Sequence, residues 1–123
     1  YIMKLLNKKL QEKVRHILME KSKARDCDRF LTSCIWWQEL EEQTLKGRRQ
    51  REAGYILNAN SGSGFPVFLR LYNDKVLTLA DSITRARRKL QEEDKTLRGE
   101  NWYKRKGRAE EIRQEFIEYK YEI

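Results

Sequence analysis

The sequence predicts a mainly α-helical fold: a small helical bundle with a helix-turn-helix or winged-helix-like unit, in a single domain spanning residues 1–123. Three observations carry that expectation. Apolar residues recur at helical spacing over residues 6–18, 30–38, 83–90 and 112–119. Polar or glycine-bearing breaks separate these stretches at Ser22–Arg25, Asn58–Gly64 and Gly99–Asn101. The chain is also 123 residues long and 39% hydrophobic, enough for one core and too short for two substantial folds. Together they predict about 60% helix in four or five segments, with any sheet confined to a short hairpin near residues 54–77.

The first helix, over residues 2–21, carries Leu6, Leu10, Val14, Ile17 and Leu18 on one stripe and Lys8, Lys9, Lys13 and Arg15 elsewhere; His16 borders the stripe. Asp26 offers an N-cap for a second helix to about Thr44, with Phe30, Leu31, Cys34 and Ile35 at helical spacing. Adjacent Trp36 and Trp37 point about 100° apart, so one can anchor the core while the other covers a neighbour or lies on the surface. An exposed indole there could also stack on a base. Glu39, Glu41 and Glu42 form an acidic side expected to face outward.

Lys46–Arg51, reading KGRRQR, is either a phosphate-contacting run or a solvated linker. Tyr55, Ile56 and Leu57 suit a short strand, and Asn58–Gly64 suits a flexible loop. The GxxxxGK[ST] pattern of a phosphate loop is absent there. Phe65–Tyr72, FPVFLRLY, carries two competing periods. Phe68, Leu69 and Tyr72 fit a helix behind Pro66, whereas Val67, Leu69 and Leu71 alternate as in a strand.

Leu79–Glu93, LADSITRARRKLQEE, is the most organised stretch. Leu79, Ile83, Ala86 and Leu90 define one helix face; Arg85, Arg88 and Lys89 fall opposite and Arg87 on the flank. Asp81 or Ser82 can cap its start. With residues 65–72 and the Asn73-Asp74 turn before it, the stretch makes a helix-turn-helix candidate. A duplex major groove admits such a helix, with arginines toward phosphates or base edges. A solvated cationic face, or one that meets an acidic protein, is the competing reading.

Beyond a turn at Gly99–Asn101, Trp102 and Tyr103 lie beside Lys104, Arg105, Lys106 and Arg108. Interleaved aromatics and cations suit phosphates and bases; alternatively, Trp102 pins a loop to the core. Ala109–Ile123 closes the chain as a helix with Ile112, Phe116 and Tyr119 as its apolar stripe. Lysine plus arginine number 27 against 19 acidic residues, for a net +8, and most of that excess lies in residues 85–108. Such concentration favours an anionic partner.

Cys27 and Cys34 are seven residues apart, too far for a disulfide within one helix, so both are expected reduced and at least partly buried. One histidine and no close cysteine pair provide no zinc-ligand set. No apolar stretch is long enough to span a membrane, and the start lacks a signal-peptide core, so a cytoplasmic location in a host cell is expected. No cofactor, metal or catalytic residue is expected. Asp26 and Asp28 could hold Mg²⁺ in a nuclease-like site, but helix capping explains Asp26 more simply.

DSITRARRKLQEEDKTLRG (residues 81–99) resembles a segment of small proteins encoded by bacteriophages and prophages, and KARDCDRFL (23–31) with Ile35-Trp36 is similar to their N-terminal part. The likeness reaches about two thirds of the chain and departs from the pattern over residues 46–64 and in the acidic last helix. It implies a phage or mobile-element origin and a helix-turn-helix or winged-helix DNA-binding type. The resulting expectation is a protein that contacts double-stranded DNA with Arg85, Arg88 and Lys89 in or across a groove and Arg87, Lys104, Arg105, Lys106 and Arg108 on flanking phosphates. The alternative is a phage-encoded inhibitor or regulator of a host nucleic-acid-processing protein, using the acidic faces at Glu39–Glu42 and Glu110–Glu122.

Overall fold

The computed structural model describes the backbone of residues 2–58 and 64–121 and the side chains of residues 9–58 and 64–118. In chain order the elements are α1 (Ile2–Glu20), α2 (Lys23–Asp26), α3 (Asp28–Lys46), α4 (Gln50–Leu57), α5 (Phe65–Asn73), α6 (Ala80–Glu93), a 3-10 turn (Lys95–Leu97) and α7 (Glu100–Tyr121). The molecule is a small helical bundle, about 85% helical, with no strand among the described residues. None of the described helices is long and apolar enough to cross a membrane. The expected flexible loop at 58–64 falls mostly on residues 59–63, outside the described residues.

Two apolar clusters hold the bundle. The first joins Val14, Ile17 and Leu18 of α1, Ala24 of α2, Leu31 and Ile35 of α3, Ile83, Ala86 and Leu90 of α6, and Leu97. The second joins Leu40 of α3, Ala53 of α4, Leu71 of α5 and Leu77. Trp36 packs against both. Its indole donates to the carbonyl of Thr78 at 2.7 Å and meets Phe68 and Tyr72 edge-on, with ring centroids 5.2 and 5.5 Å away. Half-buried, with its N–H satisfied, Trp36 combines a large apolar contact area with a fixed orientation. Trp37 lies at the surface and donates to Glu41, one turn on.

The hairpin expected near residues 54–77 does not form; α4 and α5 occupy that stretch. In α5 the helical period prevails over period two. Leu71 is buried and Phe68 and Tyr72 pack beside it, whereas Leu69, which a strand would turn inward with Leu71, is 47% exposed. Without strands, a winged-helix reading has no wing among the described residues. The expected helix-turn-helix pair, α5 and α6, does not share a core: Leu71 belongs to the second cluster, and Ile83, Ala86 and Leu90 to the first. Between them Lys75 adopts a left-handed conformation (φ 63°), with Lys75 N donating to Tyr72 and Val76 N to Leu71, which closes α5.

Other local expectations change as well. Leu79 is not on the buried stripe of α6; it is half exposed and precedes the helix, and neither Asp81 nor Ser82 caps it. Asp26 does not start α3; it ends α2, and Cys27 holds the cap position of α3. Glu39 turns inward rather than outward. Its carboxylate accepts from Thr78 N at 3.0 Å and from the Thr78 hydroxyl at 2.6 Å, which fixes the segment before α6. Both cysteines are free and half-buried, as their spacing requires.

Burial pushes the Glu39 carboxyl above its ordinary range, although the Thr78 hydrogen bonds oppose the shift. An acid whose folded pKa is raised stabilises the fold below its unfolded pKa and loses that contribution as pH rises through the folded pKa. Glu39→Gln keeps an acceptor for Thr78 N and removes the titration. Its melting temperature relative to the wild type should therefore be higher near neutral pH than near pH 4. Thermal melts of the two proteins across that range measure the difference, and one that does not vary with pH contradicts the assignment.

Candidate nucleic-acid interface

The cations expected in one site divide into three groups once α6 and α7 are seen together. Arg85, Arg88 and Lys89 are exposed on α6, whereas Arg87 is buried, at 2% exposure. The reading of Arg87 as a flanking phosphate contact is therefore corrected. One hundred degrees of helix separate it from Arg88, and that rotation turns it toward α3. Arg87 Nε donates to Asp28 Oδ1 at 2.6 Å and Nη1 to Gln91 Oε1 at 2.7 Å. Gln91, itself fully buried, donates to the carbonyls of Arg25 (3.0 Å) and Leu97 (3.1 Å). Burial lowers the Arg87 pKa, Asp28 opposes that shift, and the neighbouring charges of Arg105 and Arg88 add to it.

Lys104, Arg105, Lys106 and Arg108 do not lie in a loop. They occupy the first turns of α7, which runs unbroken from Glu100 through Gly107. The helix start is set by a residue 75 positions away: Asp26 Oδ1 accepts from Asn101 N at 2.9 Å, supplying the N-terminal oxygen that Gly99 cannot. Gly99 is needed for this approach, because a Cβ there would collide with the Asp26 carboxylate. The end of α6 is closed in a complementary way. Arg98 donates through Nε to Gln91 O and through Nη2 to Glu92 O (2.8 Å), offsetting the acidic residues of that last turn. The Arg98 guanidinium lies 3.7 Å, and the Lys106 ammonium 4.8 Å, from the Trp102 ring centroid.

These contacts bring α7 beside α6 and leave two clefts that share Arg87 and Arg105. One, of about 350 Å³, is lined by Arg25, Lys104, Arg105, Arg108 and Asn101, together with the carboxylates of Asp26 and Asp28. The other, of about 330 Å³, is lined by Arg88, Arg105, Lys106 and Trp102. Arg85 and Lys89 face a separate groove, against Leu10 and Gln11 of α1. Arg85 also lies 3.5 Å from Asp81, and Lys106 3.8 Å from Glu92. By contrast, Arg88, Lys89, Lys104, Arg105 and Arg108 have no carboxylate within ion-pair distance among the described residues. Elsewhere Lys13 is neutralised by Glu42, Arg15 by Asp94, and Arg49 of the KGRRQR run by Glu52 and Asp74, whereas Arg29, Arg48, Arg51 and Arg70 have no such partner among the described residues.

Arg25, Arg98 and Asn101 belong to this surface although no sequence pattern singles them out. Only the fold brings Arg25 to α7, whereas Arg98 carries a weak signal as the cation four residues before Trp102. The two aspartates considered for Mg²⁺ both have protein partners, Asp26 with Asn101 and Asp28 with Arg87. No protein-family model, curated protein or solved structure matches the chain.

The adjacent arginines separate by role under substitution. Arg87→Ala leaves the buried Gln91 carbonyl without its donor and removes the link to the exposed Asp28, for an expected loss of about 1–3 kcal/mol. Arg88→Ala should change stability by no more than about 0.5 kcal/mol. Urea denaturation of both variants checks this; equal losses would contradict the burial of Arg87.

Proposed function

We propose that the chain binds double-stranded DNA across the outward side of α6 and the first turns of α7. The observation that carries this reading is the convergence of Arg88, Lys104, Arg105 and Arg108, none of them neutralised by a carboxylate among the described residues, on two adjoining clefts between α6 and α7. Mutual repulsion among such charges is relieved when phosphates enter, and counterions leave with a gain in entropy. Arg side chains can each hold a phosphate through two donors, and Lys104 adds a mobile point charge. Backbone contacts dominate in this reading. On α6, Asp81 and Glu92 share the outward face with Arg85, Arg88 and Lys89, and carboxylates disfavour deep entry into a groove. The resemblance of residues 81–99 to phage and prophage proteins points to the same class of partner and to a mobile-element origin.

The second reading, an inhibitor of a host nucleic-acid-processing protein, draws on the acidic far half of α7, with Glu110, Glu111, Glu115 and Glu118 exposed. It loses the other acidic face: Glu39 is turned inward and Glu42 pairs with Lys13.

A salt titration of duplex binding by fluorescence anisotropy tests the proposal. Replacing Lys104, Arg105 and Arg108 together by alanine should weaken binding and reduce the slope of log K against log salt by about 0.9 for each phosphate that is no longer neutralised. The weakening should be similar for unrelated duplex sequences. Replacing Arg85 and Lys89 should have the smaller effect, because they face the α1 groove. No duplex binding at low salt by the folded wild type would reject this function in favour of the protein-partner reading.

A further inference from the structure

The KGRRQR run at Lys46–Arg51 is a structured turn rather than a solvated linker, and it lies outside the α6–α7 surface. At the end of α3, Gly47 N donates to the Gln43 carbonyl, and a Cβ at Gly47 would run into the Gln43 side chain and backbone. The chain therefore turns at once into α4, and Arg49 fixes the turn. Its Nε and Nη2 donate to the two oxygens of Glu52 (2.8 and 2.7 Å), and Nη1 donates to Asp74 at the end of α5 (2.8 Å). One arginine thus occupies both carboxylates of this region. Arg49 first, and Arg70 more weakly, hold the Glu52 carboxyl below its ordinary range, which places Arg70 beside the same ion pairs.

The other cations here are left unneutralised. Residues 46–52 and 70–75 carry six cations against the two carboxylates that Arg49 occupies. Lys46, Arg48, Arg51, Arg70 and Lys75 are all exposed, and none has a carboxylate within ion-pair distance among the described residues. Because Arg49 ties the start of α4 to the end of α5, these five gather around one braced centre instead of trailing along the chain. Three of them are arginines, whose forked donors match phosphate oxygens.

α3 sets this patch opposite the first one. Its first residue, Asp28, lines the cleft that holds Lys104, Arg105 and Arg108, and its last, Lys46, belongs to the second patch. Nineteen helical residues set the two ends about 27 Å apart. Along that length the groove between α1 and α3 carries Glu12, Glu41 and Glu42 against Lys13, so a single duplex laid there meets repulsion between the ends. We infer that Arg48, Arg51 and Arg70 form a second phosphate-binding surface that takes a second DNA duplex, so that one molecule bridges two duplexes. This inference rests on DNA binding at the α6–α7 surface. The α5 residues Phe65 and Leu69 are also exposed, but two apolar side chains beside five cations suit a phosphate backbone better than insertion into lipid.

Two measurements at low salt test it. Fluorescence anisotropy reads the binding of one labelled duplex, and retention of that duplex on beads carrying an unlabelled duplex reads bridging. The wild type should do both. The variant Arg48→Ala/Arg51→Ala/Arg70→Ala leaves Arg49 in place and should keep the circular dichroism of the wild type. It should bind a single duplex within about threefold of the wild type and lose at least about tenfold in bridging. Binding without bridging by the wild type overturns this inference alone, whereas no duplex binding at all removes the proposed function with it. Bridging that the triple substitution leaves unchanged also overturns it, and marks association between protein molecules. Failure to bridge, with retention of the wild type but not the variant on phosphatidylserine vesicles, assigns the patch to lipid instead.

Discussion

The ion pair between Arg87 and Asp28, 2.6 Å long, is the contact on which the arrangement of this bundle turns. Its guanidinium comes from the middle of α6, its carboxylate from the first residue of α3, and Gln91 extends the link to the carbonyls of Arg25 and Leu97. Segments that already share the first apolar cluster are thereby also tied by directed polar contacts. A buried cation is tolerable only when its donors are satisfied. No buried side-chain polar atom among the described residues lacks a partner. Apolar side chains of similar volume could hold these helices together equally well, but not specify this arrangement so narrowly. In this chain the polar cluster decides where α2 and the 3-10 turn lie, and therefore where α7 begins.

That dependence connects the core to the surface. Asp26 ends α2 and reaches Asn101 because Arg25 and Leu97, on either side of the approach, are tied to the same Gln91. The direction of α7 follows, and with it the position of Lys104, Arg105 and Arg108 relative to Arg88. The cationic surface is thus assembled from exposed cations that attract an anion and from a buried Arg87, held by Asp28, whose carboxylate lines the same cleft.

Much of the fold was legible in the sequence because burial imposes a period. Spacing alone places Val14, Ile17 and Leu18, Leu31 and Ile35, and Ile83, Ala86 and Leu90 inward, and all are buried. The eight residues from Phe65 were undecidable because Leu69 and Leu71 satisfy both periods, and only the second cluster chooses between them. Charge was harder to read. Arg87 and Arg88 are identical in composition and adjacent, and the difference between them depends on Asp28, 59 residues away. Likewise, Glu39 sits in an acidic run that looks solvated, yet Thr78 turns it inward. Polar residues carry no periodic signature of burial, so a sequence reading assigns them to solvent by default.

The α7 boundary shows the same limit from another side. Glycine lowers helix stability by roughly 1 kcal/mol relative to alanine, so Gly107 gives no local support to a continuous helix through the basic run. In the bundle it is an exposed residue with open space around it, and the helix passes through. That continuity acts on both halves of the helix. The cations before Gly107 acquire fixed helical positions instead of loop freedom, so Lys104, Arg105 and Arg108 converge on one cleft. The apolar residues after it, Ile112 and Phe116, are carried clear of the two core clusters and lie exposed. An isolated helix with this composition would fray in water. Anchored at Asn101 and Trp102, it presents one charged surface and one apolar surface along a single axis, and the weakest point between the two is the glycine itself.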